Sequence, residues 1–458
     1  MQKILLFIAS LFYFNFLFSK NEIKSWQGIH ETPLSRLEQQ FAEPPVEFAN
    51  HVIWGWEGKM DKKTICNDLD SIKKKGFRAV IFEAGYKLPF KYLSEEWFKA
   101  IRTGVVEAKK RDMKVWIIDE GKYPSGFAGG KFSQERPDLR MQALVIGDTI
   151  QIKRGEVMTN HKIAPEIISA VAVSTSGAPN RTVEINNGKI SFNAGLDDWK
   201  ILLVKSDFRT AVTRAVNNPN GGKDATNSLC DYLNPIAVQQ FIDWTHKQYK
   251  KYLGKELGTT VLGFRGDEPD YAHLPWTPSI VQTFKDTKGY DPTPYLASFF
   301  TASPTIQEQR VKADYWDVWS SLFATHFFKL QADWCAANGV AHITHLNKEH
   351  EMPACVKAEG DYFRALSKVQ IPGVDAIWNQ IWPGTLNDFP KLASSVAHVY
   401  GKPRAFSESF AAYHISPTIP QAKFVVDHQI ARGINFFEFM FWLAGSKHRN
   451  WMSDPGMK

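Results

Sequence analysis

A chain of 458 residues, 44% hydrophobic and 22% charged, can bury a large core and is too long for a small disulfide scaffold. Its net charge of +7 is spread along the sequence without a basic block, which argues against a nucleic acid partner. Its four cysteines, Cys66, Cys230, Cys335 and Cys355, are too widely spaced to announce a metal-ligand motif; buried free thiols are expected, with one disulfide open in an oxidising compartment.

At the N-terminus, Met1 to Lys3 are followed by the apolar run "ILLFIASLFYFNFLF" and the small residue Ser19. This reads as a signal peptide over residues 1–19, too short and too interrupted for a spanning helix. The expectation is a secreted, periplasmic or cell-surface protein with no stable membrane span after signal removal. From "HVIWGW" onward, strands and helices alternate. Helical spacing over Asp61 to Lys75 ends at Gly76, "AVIFEAG" is a second strand, Ser94 caps a helix to about Arg111, and "KVWIID" is a third strand. Short strands then follow with no helices between them, so residues 144–217 are expected to be a small β-rich insertion. Alternation resumes with a helix from Pro235 to about Leu253 and the strand "VLGFRG". A long helix from Ile306 to Asn338 follows, then strands "AHITHL", "DAIWN", "RAFSESF" and "NFFEFMF". Eight strands with intervening helices predict an α/β fold, a (β/α)8 TIM barrel occupying residues 20–458. An open doubly wound sheet is disfavoured, because no G-x-G-x-x-G follows the first strand.

In such a barrel the site lies at the C-terminal ends of the strands. Polar residues collect there: Glu57, Glu83, Asp119 with Glu120, Asp267 with Glu268, His345, Asn379 and Glu408. A lone polar strand end is more often a cap or a loop hydrogen-bond partner; recurrence at several ends points to a site. Two carboxylates facing across the mouth suit glycoside hydrolysis, one donating a proton and the other activating water or attacking. Strands four and seven lie on opposite sides of the ring, which selects Glu268 and Glu408. Asp267 would orient Arg265 or raise the pKa of Glu268 by like-charge repulsion. Trp54, Trp56 and Trp382 are candidate sugar platforms, with Glu83, Asp119, Asp267, His345 and Asn379 as further substrate contacts. The glycines of "YPSGFAGG" (Tyr123 to Gly130) permit a tight loop against a sugar ring.

The stretches "DEGKYPSGFAGG", "GYDPTPYL", "HLNKEHEMPACVKAEGDYFRALSKVQIPGVD" and "GKPRAFSESF" resemble the barrel of bacterial enzymes related to glycoside hydrolase family 106, the α-L-rhamnosidases, over most of Trp54 to Met457. The strand-four motif ends differently from that family's at "RGDEPD". The resemblance implies cleavage of terminal sugars, α-L-rhamnosides or related, from an oligosaccharide or polysaccharide of plant or microbial origin. It also implies an inverting mechanism with Glu268 as acid and Glu408 as base, and calcium near the sugar hydroxyls, with Asp119, Asp361 and Asp375 as candidate ligands. A retaining enzyme with Glu408 as nucleophile and a non-catalytic carbohydrate-binding barrel are the alternatives. After strand eight, "WLAGSKHRNWMSDPGMK" offers no eighth outer helix. Truncation at that end is therefore an expectation, with Phe436, Phe439 and Phe441 alternating between the interior and an uncovered seam.

Overall fold

The computed structural model describes residues 33–445 except 86, 122–123, 210–212, 215–222, 225–227, 270, 272–273, 386 and 414–416. The expected leader at 1–19, Tyr123 and the segment after 445 lie outside the described residues. Eight parallel strands close into a barrel: β1 (His51–Trp56), β2 (Ala79–Ala84), β3 (Lys114–Ile118), β4 (Val261–Gly266), β5 (Ala341–Thr344), β6 (Ile371–Ala376), β7 (Phe406–Ser409) and β8 (Phe436–Leu443). Each strand pairs with its sequence neighbour in the ring, and β8 pairs with β1. The expected (β/α)8 barrel is the fold found.

The interior is filled by Ile53, Ile81, Trp116, Leu262, Ile343, Ile371, Phe406 and Phe436, while the intervening residues face the outer helices. Local signals set the helices. Asp61 accepts from the Thr64 N–H at 2.8 Å to start Lys62–Lys74, Ser94 accepts from the Trp97 N–H at 3.3 Å to start Glu95–Lys110, and Thr305 with Glu308 forms a capping box for Ile306–Leu322. Two expected helices are interrupted. The one opening at Pro235 breaks at Thr245 (φ −112°, ψ −86°) into Pro235–Trp244 and His246–Leu253, and the long one passes through a π-helical turn, Phe323–Phe328.

Strand six begins earlier than the expected Asp375 start. Pro372 and Gly373 read as turn residues in sequence, yet both lie within the strand. Gly373 is required there, since a Cβ would stand 2.1 Å from the Phe406 ring. Between β3 and β4, strands Gln142–Ile152, Ile167–Ser174, Arg181–Thr182 and Trp199–Phe208 form one antiparallel sheet, and Val157–Lys162 pairs separately with Lys189–Asn193. The sheet gains an edge strand, Pro275–Trp276, from the segment after β4, so it is tied to the barrel mouth. Thr277 donates to Asp231 at 2.7 Å beside that edge.

At the β8–β1 seam Phe436 points inward, and Phe439 is only 7% exposed, packed on Phe77, Phe410 and Phe437. The bare outer face expected for Phe439 is therefore not found; the Phe441 side chain lies outside the described residues. All four cysteines are free thiols. No helix among the described residues is long and apolar enough to cross a membrane.

Candidate active site

Strand register brings the acids together. Asp375 on β6 is the direct partner of Glu408 on β7, and Glu408 is the partner of Glu438 on β8, so three carboxylates stand abreast on the inner wall. Such a row is costly without counter-charge. Arg265, fully buried on β4, supplies it: its guanidinium meets Asp267 at 2.7 Å and Glu438 at 3.1 Å and contacts Glu408. His345, just beyond β5, places Nε2 3.2 Å from Glu408 and 3.5 Å from Asp267. Glu268, His345 and Asp375 also bring one ligating atom each within 4.8 Å of one another. His345 thus lies against both Glu268 and Glu408.

Five carboxylates around one guanidinium and one imidazole cannot all be ionised, and their environments push them apart. Burial, then the charges of Asp267 and Glu408, raise Glu268 to about 7 against the pull of His345 and a hydrogen bond with Asp375. Asp375 is held well above the usual carboxylate range by burial, then by Glu408, Glu268 and Glu349. Glu438 rises to about 7 because burial outweighs the attraction of Arg265. Glu408 goes the other way. Burial opposes its ionisation, but the charge of Arg265 and the hydrogen bond and charge of His345 prevail, and it falls to about 2. Burial and Arg265 disfavour the His345 cation, yet Glu408 and Glu349 raise it to about 9. Glu268 is a half-buried acid kept protonated near neutrality; Glu408 is a buried anion.

The backbone here is strained. Glu268 (φ 35°), Trp378 (φ 54°), Asn379 (φ 56°) and Phe410 (φ 76°) adopt left-handed conformations just past β4, β6 and β7. Non-glycine residues take such angles at a cost, and they cluster where side chains must be aimed. The "SGFAGG" loop wraps Glu120, whose carboxylate accepts from the N–H groups of Gly121 (2.6 Å), Gly129 (3.1 Å) and Ala128. Ser125 fastens the same loop to the site, donating to Asp119 and accepting from the Asp267 N–H, each at 2.7 Å.

The fold gathers Asp267, Glu268, His345 and Glu408, and it sets Asp119 beside them through Ser125. Glu83 is buried at the end of β2, where alternation with the outward Phe82 turns it inward. Asn379 lies in the loop beyond β6, half-buried. Trp54 and Trp56 do not line the site: both are fully buried on the outer face, Trp54 donating to Asp68 of helix Lys62–Lys74 and Trp56 packing on Trp97. Parallel barrel strands are covered on both faces, so an apolar strand residue has no solvent side to betray its direction. Among the described residues, Trp382, half-buried against Tyr413, and Trp378, 48% exposed, are the tryptophans with accessible surface at this end.

The proposed calcium ligands do not converge. Asp361 is exposed, caps helix Tyr362–Leu366 by accepting from the Arg364 N–H at 3.1 Å, and pairs with Arg364; Asp119 is engaged by Ser125. Only Asp375 belongs to a metal-sized cluster, and that cluster includes the His345 imidazole, whereas calcium takes six to eight oxygens. Among the described residues no three carboxylates come together at metal-ligating range without a histidine.

Sequence reading overlooked Glu438 and Glu349 and gave Arg265 only an accessory part. Glu438 carried a usable signal, as the lone carboxylate in an apolar strand that must find a buried cation. Glu349 accepts from the Leu346 N–H at 2.9 Å and stands 3.9 Å from His345; nothing local in the sequence marks it.

A protein of Formosa agariphila whose name provisionally assigns it beta-glucuronidase activity is 24% identical over 93% of this chain. The rhamnosidase structure from Novosphingobium sp. PP1Y superposes with a TM-score of 0.66 at 16% identity, covering 90% of this chain, which supports the barrel. The chain spans 39% of the length of the first and 56% of the second. The family model described as alpha-L-rhamnosidase matches residues 157–446, more than half of the sequence. The chain belongs to that family, glycoside hydrolase 106.

Proposed function

We propose that this chain hydrolyses terminal glycosidic bonds, of α-L-rhamnosides or a related neutral sugar, with Glu268 as general acid and Glu408 as general base. The arrangement that carries the reading is the pair of glutamates brought to His345: Glu408 bonded to Arg265 and His345, which favour its anion, and Glu268, which burial and the acids crowding it push up to about 7. Glu268 donates its proton to the leaving oxygen. Glu408 accepts one from the attacking water. The bonds from Arg265 and His345 both go to Oε2 of Glu408, which leaves Oε1 to orient the water.

A neutral sugar is favoured over a uronic acid by the charge distribution. Arg265 is the one guanidinium in the described cluster, and it is enclosed by Asp267, Glu408 and Glu438. A substrate carboxylate placed here would compete with Glu408 and Asp267 for cations they already hold, Arg265 and His345. Secretion, supported by the leader-like N-terminus, and a polysaccharide source, supported by the family resemblance, are part of the same proposal. The test is turnover of aryl α-L-rhamnosides against aryl β-D-glucuronides, with the product anomer followed by proton NMR. Rhamnoside cleavage with inversion is expected. Retention would make Glu408 a nucleophile, preferred glucuronide cleavage would reject the neutral-sugar argument, and binding without turnover would leave a carbohydrate-binding barrel.

A further inference from the structure

On the outer wall of the barrel, well separated in role from the carboxylate row, His246, Cys335 and His342 bring one ligating atom each within 4.8 Å of one another, all fully buried. They come from three elements. His246 opens the helix that restarts after the break at Thr245, Cys335 lies on helix Lys329–Ala337, and His342 is on β5, alternating with the inward Ala341 and Ile343. The wide cysteine spacing gave no hint of a metal site, because the two histidines that complete it are supplied by packing.

The hydrogen bonds around His246 fix its tautomer. The Thr245 hydroxyl donates to the Phe241 carbonyl at 2.7 Å, so its oxygen must accept from His246 Nδ1–H at 2.9 Å. Nε2 is then left as a bare lone pair, and it has no hydrogen-bond partner among the described residues. Neither ring nitrogen of His342 has one either. One turn before Cys335, and therefore on the same helix face, fully buried Gln331 carries an unpartnered Oε1. Buried polar atoms are almost always satisfied, so these unpartnered atoms, a bare acceptor on each imidazole and on Gln331 among them, beside a thiol point to a cation. Both rings are fully buried, an environment that favours the neutral imidazole a metal needs.

We propose that His246 Nε2, Cys335 Sγ and His342 hold a zinc ion that pins the broken helix pair and helix Lys329–Ala337 to β5. Zinc is the cation chosen by two imidazoles and a thiolate, three of its usual four ligands, with Zn–N of about 2.0–2.1 Å and Zn–S of about 2.3 Å; a hard cation would refuse the sulfur. Binding converts the Cys335 thiol to thiolate and releases its proton to solvent. Thr245 acts as the outer partner that orients the His246 ring.

The test uses Co²⁺ as a spectroscopic probe, followed by displacement with Zn²⁺. Chelator-treated full-length protein should take up one equivalent of Co²⁺ that gives visible tetrahedral bands and a near-ultraviolet thiolate-to-cobalt band, both erased by Zn²⁺. Cys335→Ser should lose the thiolate band with its circular dichroism intact, and Thr245→Val should bind about 10- to 100-fold more weakly. Should Cys335→Ser fail to fold, the variant with Cys66, Cys230 and Cys355 all changed to Ser must keep the band. Folded protein that takes up no Co²⁺ overturns the proposal. So does uptake without a thiolate band, which would place the ion elsewhere, for instance at Glu268, His345 and Asp375.

Discussion

Arg265 on β4 and Glu438 on β8 meet across the diameter of the barrel, Nε to Oε2 at 3.1 Å, with both side chains fully buried. The two strands are opposite in the ring, so this ion pair spans the interior at the level of the carboxylate row, of which Glu438 is one end. It separates an apolar floor built on Trp116, Ile343, Phe406 and Phe436 from a charged mouth, and it fixes the guanidinium that keeps Glu408 ionised.

Removing that guanidinium should be severe. Arg265→Met leaves Asp267, Glu408 and Glu438 without their cation, and stripping one partner from a buried ionic network typically costs about 3–5 kcal/mol. Urea titration at pH 7 is the measurement. A loss below about 1 kcal/mol would mean the carboxylates re-protonate freely and the network has little structural weight.

Glu268→Gln and Glu408→Gln should each lower kcat by at least about 10²- to 10⁴-fold on substrates with poor leaving groups. Their stabilities should differ. Glu268→Gln removes a carboxylate crowded by Asp267, Glu408 and Asp375 and should leave the thermal midpoint unchanged or raised, whereas Glu408→Gln deprives Arg265 of a counter-charge and should lower it. Equal destabilisation by both would mark Glu268 as a structural partner.

The activity should fall on the alkaline side near pH 7, where Glu268 loses the proton it must donate. With aryl glycosides whose leaving group needs no protonation, Glu268→Gln should retain measurable activity and lose that limb. Persistence of the limb in the variant would assign it to another group, Glu438 being the first to examine.

Stability should fall as pH rises through the same range. Asp119, Asp231 and Glu349 are raised by burial to about 7, 7 and 8, so each binds its proton more tightly folded than unfolded. Their contribution is complete below the unfolded carboxylate range near pH 4 and is lost as pH climbs through 7 to 8. Glu408, lowered to about 2, has the opposite sign: its contribution is present above about pH 4.5 and disappears as pH falls toward 2. Denaturation midpoints from pH 3 to 9 should therefore peak on the acidic side of neutrality; a peak above about pH 8 would contradict these shifts.

Trp378, 48% exposed at the mouth, should contribute to binding without contributing to the core. Trp378→Ala is expected to raise KM for an oligosaccharide several-fold, with kcat and the thermal midpoint little changed, since ring stacking on a sugar is lost while packing is not. An unaltered KM would move the sugar platform to Trp382.

Sequence by itself determined the barrel and the neighbourhood of its site. Apolar runs such as "AVIFEA" and "VLGFRG" form strands wherever they fall between amphipathic helices, and the acids that close them, Asp119, Asp267 and Glu408, must then gather at one rim. These are local consequences of side-chain periodicity. Tertiary structure alone decided which acid keeps its proton, because that depends on Arg265 and His345 reaching Glu408 from strands far away in sequence. It also turned Trp54 and Trp56 outward, and it brought His246 and His342 to Cys335. Charge and metal affinity act through space over a few ångströms, and only the closed ring brings residues as distant as Arg265 and Glu438, 173 positions apart, within that reach.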